Sequence, residues 1–289
     1  MSAFTNASFG IDHPLLTVAD LDIAAERLAA LGFVVTPLGR HPWGTHNRLA
    51  LFAGGLLELM TIGDSAAVDD GTVDQFLFGR PVRAALAESE GIAMVALHST
   101  DLERDIAATH VPMTGIIDFH RPLTLPDGSH DEAIVKLAML NDAAHPRLSH
   151  FLCQQMKRGL VEVPEWRRHP NGAERLFGLT YLDNDAGDAA IRCAALWGKP
   201  VGQGRYASAG GHVDVITADE AAARFPGLSL SPSQRQRRPA AIAVTVLVGD
   251  LALARHHILA AAPGTHDLGH RLLVPADYLA DTIFEFVVP

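Results

Sequence analysis

The sequence predicts an α+β fold built from four copies of a β-α-β-β-β module. The first observation is a phrase that occurs four times: an apolar run ends in a small or polar residue and Asp, and a stretch with helical spacing follows. The second is that the repeated aspartates are spread along the whole chain, at Asp20, Asp101, Asp183 and Asp250. Internal repetition of this kind indicates one supersecondary unit used several times.

The first copy shows every element of the module in order. The apolar run over Gly10–Val18 has the length of a strand, and Asp20 offers an N-cap carboxylate to the helix that follows it. The buried face of this helix is predicted at Leu21, Ala24, Ala25, Leu28 and Leu31. Gly32 is expected to end the helix. Three more strands are predicted at residues 33–36, 48–52 and 56–62.

The other three copies follow the same order, with uneven loops between them. Their helices are predicted over Leu102–His110, Ala186–Trp197 and Leu251–Ala261. The last strands of the second and fourth copies are predicted at residues 149–155 and 282–288. Two long connectors cover residues 64–90 and 156–174, and the polar segment 229–239 is expected to be a surface loop.

Composition limits the classes of protein to which the chain can belong. Of its 289 residues 48% are hydrophobic and 19% are charged, which is typical of a globular protein. The net charge of −10 disfavours nucleic acid and anionic membranes as partners. Because no signal peptide and no membrane span are recognised, we expect a cytoplasmic enzyme or binding protein for a small molecule, with a homodimer as a possible assembly. Cys153 and Cys193 are too few for a disulfide scaffold and are expected to be buried thiols.

Used in pairs, this module resembles the vicinal-oxygen-chelate superfamily, which includes glyoxalase I and the ring-cleaving extradiol dioxygenases. Residues 11–60 and 164–179 look like its glyoxalase-like members. The resemblance implies a glyoxalase/bleomycin-resistance/dioxygenase-like fold, in which paired modules form half-barrels around an active site. It suggests one glyoxalase-like domain over residues 1–165 with the site, and a second over residues 166–289.

The resemblance implies a divalent metal ion held by His13 and Glu58. The superfamily takes one ligand from the start of a module's first strand and one from its last strand, and these two residues occupy those positions. Glu58 shares a strand face with Leu56 and Met60, so we expect it to point into the concave side of the sheet. Imidazole plus carboxylate suits Zn, Mn, Fe or Ni and leaves positions open for substrate. The alternative is that Glu58 faces water.

The second module gives no equally clear ligand. Met94 aligns with His13, and Gln154 aligns with the position that is usually acidic in relatives. We therefore choose Gln154 as the third ligand, with Gln155, His150 and His98 left open. If the ligand set is incomplete, a metal-free binding pocket remains as an alternative.

The remaining candidate residues lie in two loops and in one strand. The loop 40–48 concentrates polar groups before a strand, and Arg40 and His41 are read as a surface turn. We choose His46 as general acid or base, because imidazole titrates near neutral pH, with Asn47 as a second catalytic residue. A structural hydrogen bond is the alternative role for His46. The residues expected to contact substrate are Trp43, Thr45, Gln155 and, in the turn 166–172, His169, which could instead join the two halves.

The leading functional hypothesis is a metal-dependent glyoxalase-like enzyme. It would abstract a proton next to a carbonyl in a small substrate whose oxygens chelate the ion, by lyase or isomerase chemistry. A metal-free small-molecule binding or resistance protein and an Fe(II) ring-cleaving dioxygenase are the alternatives. The third and fourth modules carry Leu176 and Ala243 at the position of His13, so the second half is expected to be non-catalytic, although Glu285 mirrors Glu58.

Overall fold

The computed structural model describes residues 9–70, 77–109, 111–184, 187–236 and 239–289. Within these residues the order of helices and strands follows the four predicted modules. The predicted helix end at His110 and the predicted helix start at Ala186 lie outside the described residues. In the described part of the chain, no helix is long and apolar enough to cross a membrane.

The first two modules form one eight-stranded sheet. Its strands are β1 (Gly10–Thr17), β2 (Gly39–Arg40), β3 (Thr45–Phe52), β4 (Gly55–Ile62), β5 (Gly91–His98), β6 (Ile117–Thr124), β7 (His130–Leu140) and β8 (His150–Gln155). The order across the sheet is β2-β3-β4-β1-β5-β8-β7-β6. In each module the first strand pairs in parallel with the last, and the two modules join where β1 pairs antiparallel with β5.

The last two modules repeat this plan in a seven-stranded sheet. Its strands are β9 (Ala173–Leu182), β10 (Arg205–Ser208), β11 (Gly211–Ile216), β12 (Ala240–Val248), β13 (His266–Asp267), β14 (Arg271–Val274) and β15 (Ile283–Val287). The order is β10-β11-β9-β12-β15-β14-β13, and β9 pairs antiparallel with β12. The division into domains at residue 165 stays a prediction.

The helices connect the strands of each module or lie in the long connectors. They are α1 (Leu21–Ala30), α2 (Gly79–Glu88), α3 (Leu102–Ala108), α4 (Arg158–Val161), α5 (Pro164–Arg167), α6 (Asp188–Trp197), α7 (Ala218–Arg224), α8 (Pro232–Gln236) and α9 (Leu251–Ala261). The repeated aspartates explain where α1, α3, α6 and α9 begin. Asp20, Asp101 and Asp250 are N-caps whose carboxylates accept backbone N–H bonds. Asp183 reaches further and accepts the N–H of Ala189, the second residue of α6.

Two local expectations are wrong. Residues 33–36 do not form a strand, because the N–H of Val34 donates to His169 Nδ1 at 3.0 Å and not to a neighbouring strand. The segment 229–239 is not only a surface loop. It contains α8, where the fully buried Gln234 donates from Nε2 to the carbonyl of Asp281 at 3.0 Å.

The largest apolar core is shared by the two sheets. It contains residues of both halves, among them Leu16, Leu57, Val244 and Phe286. Polar bonds cross the same boundary: Trp197 Nε1 donates to the carbonyl of Phe9 at 2.7 Å. Because one face of the first sheet is covered in this way, the opposite face of that sheet is free to form the cavity described next.

Candidate active site

The first sheet curls until its two edges approach each other around a cavity of ≈ 60 Å³. Side chains of β3 and β4 on one side and of β6, β7 and β8 on the other line the same space. Gly39 lies on the edge strand β2, and a Cβ there would overlap Arg121 Nη1 of the opposite edge strand, β6. The sheet is therefore nearly a closed barrel.

His13 and Glu58 meet inside this cavity. The two residues come from the neighbouring parallel strands β1 and β4, and His13 Nε2 lies 3.2 Å from Glu58 Oε2. Both side chains are buried, and Leu56 and Met60 line the cavity with Glu58, as their shared strand face predicts. The expected convergence of an imidazole and a carboxylate in one bent sheet is present.

Asp12 contacts His13 at Nδ1, the ring nitrogen that does not face Glu58. An irregularity in the β1–β5 register lies between Ile11 and His13, where the chain passes through Asp12. Asp12 Oδ1 lies 2.7 Å from His13 Nδ1, and Asp12 Oδ2 accepts from Arg158 Nη1 of α4 at 2.8 Å. A carboxylate on Nδ1 fixes the ring and turns Nε2 toward the cavity, as in many metal-binding histidines.

The His13 imidazole is charged at neutral pH when it lies between these two carboxylates. Burial alone would lower its pKa, but hydrogen bonds to Asp12 and Glu58 raise the pKa of His13 to about 9. Burial opposes ionisation of Glu58 as well, yet its bond to His13 lowers the pKa of Glu58 to about 2. The pair is thus a buried ion pair that keeps the carboxylate ionised and ready to bind a cation.

The donor set fits a divalent ion with open positions. Two metal–ligand bonds of about 2.1 Å each can span the 3.2 Å between His13 Nε2 and Glu58 Oε2. Among the described residues no group of three or more His, Cys, Asp or Glu side chains is placed to hold an ion. The remaining oxygen donor suggested by the sequence is the amide of Gln155, which lines the same cavity. Such a set suits Mn, Fe, Ni or Zn and leaves room for substrate oxygens.

A polar chain leads from Glu58 to the cavity wall. Asn47 Nδ2 donates to Glu58 Oε1 at 2.5 Å and lies 3.5 Å from His41 Nε2. His41 Nδ1 lies 2.9 Å from Thr45 Oγ1, which also accepts from Trp43 Nε1 at 2.8 Å. If Asn47 donates to Nε2, His41 carries its proton on Nδ1, and the lone pair of Nε2 takes this long contact from the amide.

His41 lies in the site, although its sequence predicts a position in a surface turn. The backbone N–H of His41 donates to the backbone carbonyl of Thr45 at 2.8 Å, so the turn folds back on β3. The His41 ring then stacks on the Trp43 ring, with 5.0 Å between the ring centroids. Burial, aided by the charge of Arg121, lowers the pKa of His41 to about 4, and the imidazole is neutral at pH 7. The one feature of the sequence that pointed to a role for His41 was its position close to β3.

The structure also places several predicted site residues away from the cavity. Because side chains alternate along a strand, Asn47 faces the cavity and His46 faces the other side, where its ring lies against Gly63. By the same alternation Gln155 lines the cavity and Gln154 does not. The amide of Gln154 bonds the backbone of Thr100 and Leu102. These placements correct the expected positions of His46 and Gln154.

Three further histidines have structural partners. His169 accepts from the N–H of Val34 and lies 2.9 Å from the Leu51 carbonyl, and it is not among the residues that line the cavity. His150 lies 2.8 Å from the Leu148 carbonyl and 2.9 Å from the Tyr181 hydroxyl. His98 does not line the cavity either. Of the four candidates for a third ligand, only Gln155 faces the His13–Glu58 pair.

The second sheet fills the matching position with arginines. Glu285 pairs with Thr245 in the β12–β15 register, as Glu58 pairs with Leu15 in the first sheet, so Ala243 takes the place of His13. Arg224 donates to both carboxylate oxygens of Glu285 at 2.6 and 2.8 Å. Arg271 and Thr245 add bonds of 2.6 and 2.7 Å. Four hydrogen bonds saturate this carboxylate, and the expected non-catalytic role of the second half stays a prediction.

The fold and its paired modules are those of the vicinal-oxygen-chelate superfamily. A family model described as a glyoxalase-like domain matches residues 11–197, and the chain belongs to this family. No curated protein matches the chain.

Solved structures of similar fold share little sequence with the chain. A hypothetical protein from Staphylococcus aureus aligns with a TM-score of 0.64 at 10% identity, covering 97% of this chain and 99% of that one. A mutant of 4-hydroxymandelate synthase from Streptomyces coelicolor aligns with a TM-score of 0.54 at 12% identity, covering 97% and 92%. A xylose isomerase-like TIM barrel/4-hydroxyphenylpyruvate dioxygenase fusion protein aligns with a TM-score of 0.53 at 13% identity over 100% of this chain and 50% of its own. These likenesses show the fold.

Proposed function

We propose that this protein is a metal-dependent glyoxalase-like enzyme that removes a proton next to a carbonyl group of a small substrate. The observation that carries the proposal is the 3.2 Å approach of His13 Nε2 to Glu58 Oε2 inside the cavity of the first sheet. Asp12 on the far side of His13 and the family membership of the chain support the same interpretation. Gln155 would complete the protein ligands.

The proposed chemistry divides the work among residues of the cavity. An ion on His13 and Glu58 would supply a Lewis acid that polarises the substrate carbonyl. His41 would accept the proton at Nε2, since it is neutral at pH 7 and faces the cavity. Asn47 would hold Glu58 through Nδ2, and its long 3.5 Å contact with His41 Nε2 would give way when that atom accepts the proton. The apolar wall, which includes Phe119 and Phe151, would exclude water.

Metal binding is tested on protein purified without a metal-binding tag. Elemental analysis and titration calorimetry with Mn²⁺, Zn²⁺ and Ni²⁺ are compared for wild type, His13→Ala and Glu58→Gln. Each substitution should weaken binding about 100-fold or more, because it removes one of two strong donors. His46→Ala is the matched control, since this histidine lies on the same strand as Asn47 but on the other face. Equal affinity in all four proteins would refute the metal site.

Proton removal is tested separately by exchange of substrate hydrogen with deuterated water, followed by NMR over a panel of small aldehydes and ketones. We expect exchange in the metal-loaded wild type and its loss in His41→Gln, with metal affinity retained. Exchange that survives in His41→Gln and disappears in His46→Ala would return the catalytic role to His46. Binding of a panel compound without metal and without exchange would favour the alternative, a metal-free binding protein.

A further inference from the structure

Arg121 of β6 stands where the inner cavity meets a second, outer groove. The groove has a volume of ≈ 320 Å³ and is lined by residues 36–40, by the end of β6 and by Trp166 of α5. Leu49 and Arg121 line both the groove and the cavity. A small molecule that passes from the groove to the cavity therefore meets the guanidinium before it reaches His13 and Glu58.

The guanidinium of Arg121 has no hydrogen bond or ion pair with any residue in the parts of the chain that the structure describes. The side chain is half-buried, and the one opposite charge that acts on it is that of Glu58, at a distance beyond a direct ion pair. A guanidinium carries five N–H donors, and those of Arg121 are left available to a ligand at the wall that the cavity and the groove share.

We infer that Arg121 binds a carboxylate of the substrate, so that the substrate class is a small organic acid. This inference rests on the proposed function, because the carbonyl of the same acid would face His13 and Glu58. A planar carboxylate matches one guanidinium through two parallel N–H bonds. A phosphate dianion would bring one more negative charge next to Glu58 than a carboxylate does, and among the described residues Arg121 is the one arginine that lines the cavity. A monocarboxylate therefore fits the site better than a phosphate.

Gly39 holds the space that the guanidinium needs. A Cβ at this position would overlap both Arg121 Nη1 and Asn47 Oδ1. The backbone of Gly39 is that of an ordinary strand, so the cost of a side chain there is displacement of Arg121 and Asn47 and not backbone strain. Gly39→Ala is thus a second way to disturb the anion site without removing the charge.

The test measures binding of benzoate and of its neutral analogue benzamide by saturation-transfer NMR. It uses the full chain after treatment with EDTA, so that the result does not depend on the metal. We expect the wild type to prefer benzoate, and Arg121→Gln to weaken benzoate binding about 10- to 100-fold while benzamide binding stays unchanged. Arg121→Lys should retain part of the preference. Arg40→Gln, which removes an exposed arginine of the same groove, is the matched control.

Three outcomes would overturn the inference: no benzoate binding to the wild type, equal affinity for benzoate and benzamide, or equal loss in Arg121→Gln and Arg40→Gln. Circular dichroism and urea titration of each variant show whether it is folded, and Gly39→Ala provides the same readout if Arg121→Gln is not. A preference for benzoate that is lost in Arg121→Gln and kept in Glu58→Gln supports the anion site even if titration shows no metal binding. Failure of the metal site and failure of the anion site are therefore distinguishable.

Discussion

Replacing His169 by Ala should destabilise the protein, because this residue attaches the connector between the two sheets to the first module. Its ring accepts the N–H of Val34 and bonds the carbonyl of Leu51, and it makes edge contacts with Phe33 and Phe52 at 5.3 and 5.1 Å. The substitution removes two hydrogen bonds and leaves a small void between the rings. We expect the free energy of unfolding to fall by about 3 kcal/mol at pH 7.

The same residue should make this difference depend on pH. Burial lowers the pKa of His169 to about 4, whereas in the unfolded chain it titrates near 6.5. Between these two values the unfolded state binds the proton more readily, so the contribution of His169 to stability is present above pH 6.5 and is lost as the pH falls toward 4. From pH 7 to pH 5 the loss is about 2 kcal/mol. His169→Ala lacks this term, and its deficit should shrink to about 1 kcal/mol at pH 5.

Urea unfolding followed by circular dichroism at pH 7 and pH 5 measures both effects. His256→Ala, in which an exposed histidine of α9 is replaced, should change stability by less than about 0.5 kcal/mol at either pH. A deficit for His169→Ala that is the same at both pH values would refute the assignment of a buried neutral imidazole. Normal stability with weakened ligand binding would instead restore the substrate-contact role expected from the sequence.

Three other substitutions test the contacts made by Asp12, Tyr181 and Glu285. Asp12→Asn should weaken metal binding about 10- to 100-fold in calorimetry, because it removes the carboxylate that orients His13. Tyr181→Phe should cost about 1 to 2 kcal/mol in urea unfolding, since His150 Nε2 loses its buried partner. Glu285→Gln should destabilise the chain by about 3 kcal/mol, because Arg271 loses its charge partner and Arg224 keeps only Asp214, yet metal affinity per folded molecule should stay unchanged. A drop in affinity for Glu285→Gln would mean that the second half takes part in the site.

The architecture was predictable because it follows from local chemistry that is repeated. An aspartate after an apolar strand caps a helix wherever it occurs, and the apolar faces of these modules can be buried only by pairing. The convergence of His13 and Glu58 was predictable for a related reason: strand alternation fixed the face of Glu58, and the family resemblance paired the two strands. The superfamily and its fold are confirmed, whereas the roles of the site residues stay predictions.

The errors at the site have a common cause, which is register over short distances. A shift of one residue moves a side chain to the other face of a strand, so of the neighbouring candidates His46 and Asn47, and Gln154 and Gln155, only the second of each pair lines the cavity. The role of His41 depends on a turn that folds back by one backbone bond to Thr45. The periodicity of a strand specifies which face is buried. The sequence of a turn does not specify a single backbone contact of this kind.

Glu58 and Glu285 show how one position in the module can lead to a reactive or to an inert carboxylate. Both lie on the last strand of a module beside its first strand, and the pKa of each is lowered to about 2, so both are ionised. The difference lies in the partners. Glu285 is held by two arginines that cannot be deprotonated, whereas Glu58 faces an imidazole whose proton a cation can replace. The metal site proposed for the first half therefore depends on His13, which corresponds to Ala243 in the second half, and not on the carboxylate that both halves share.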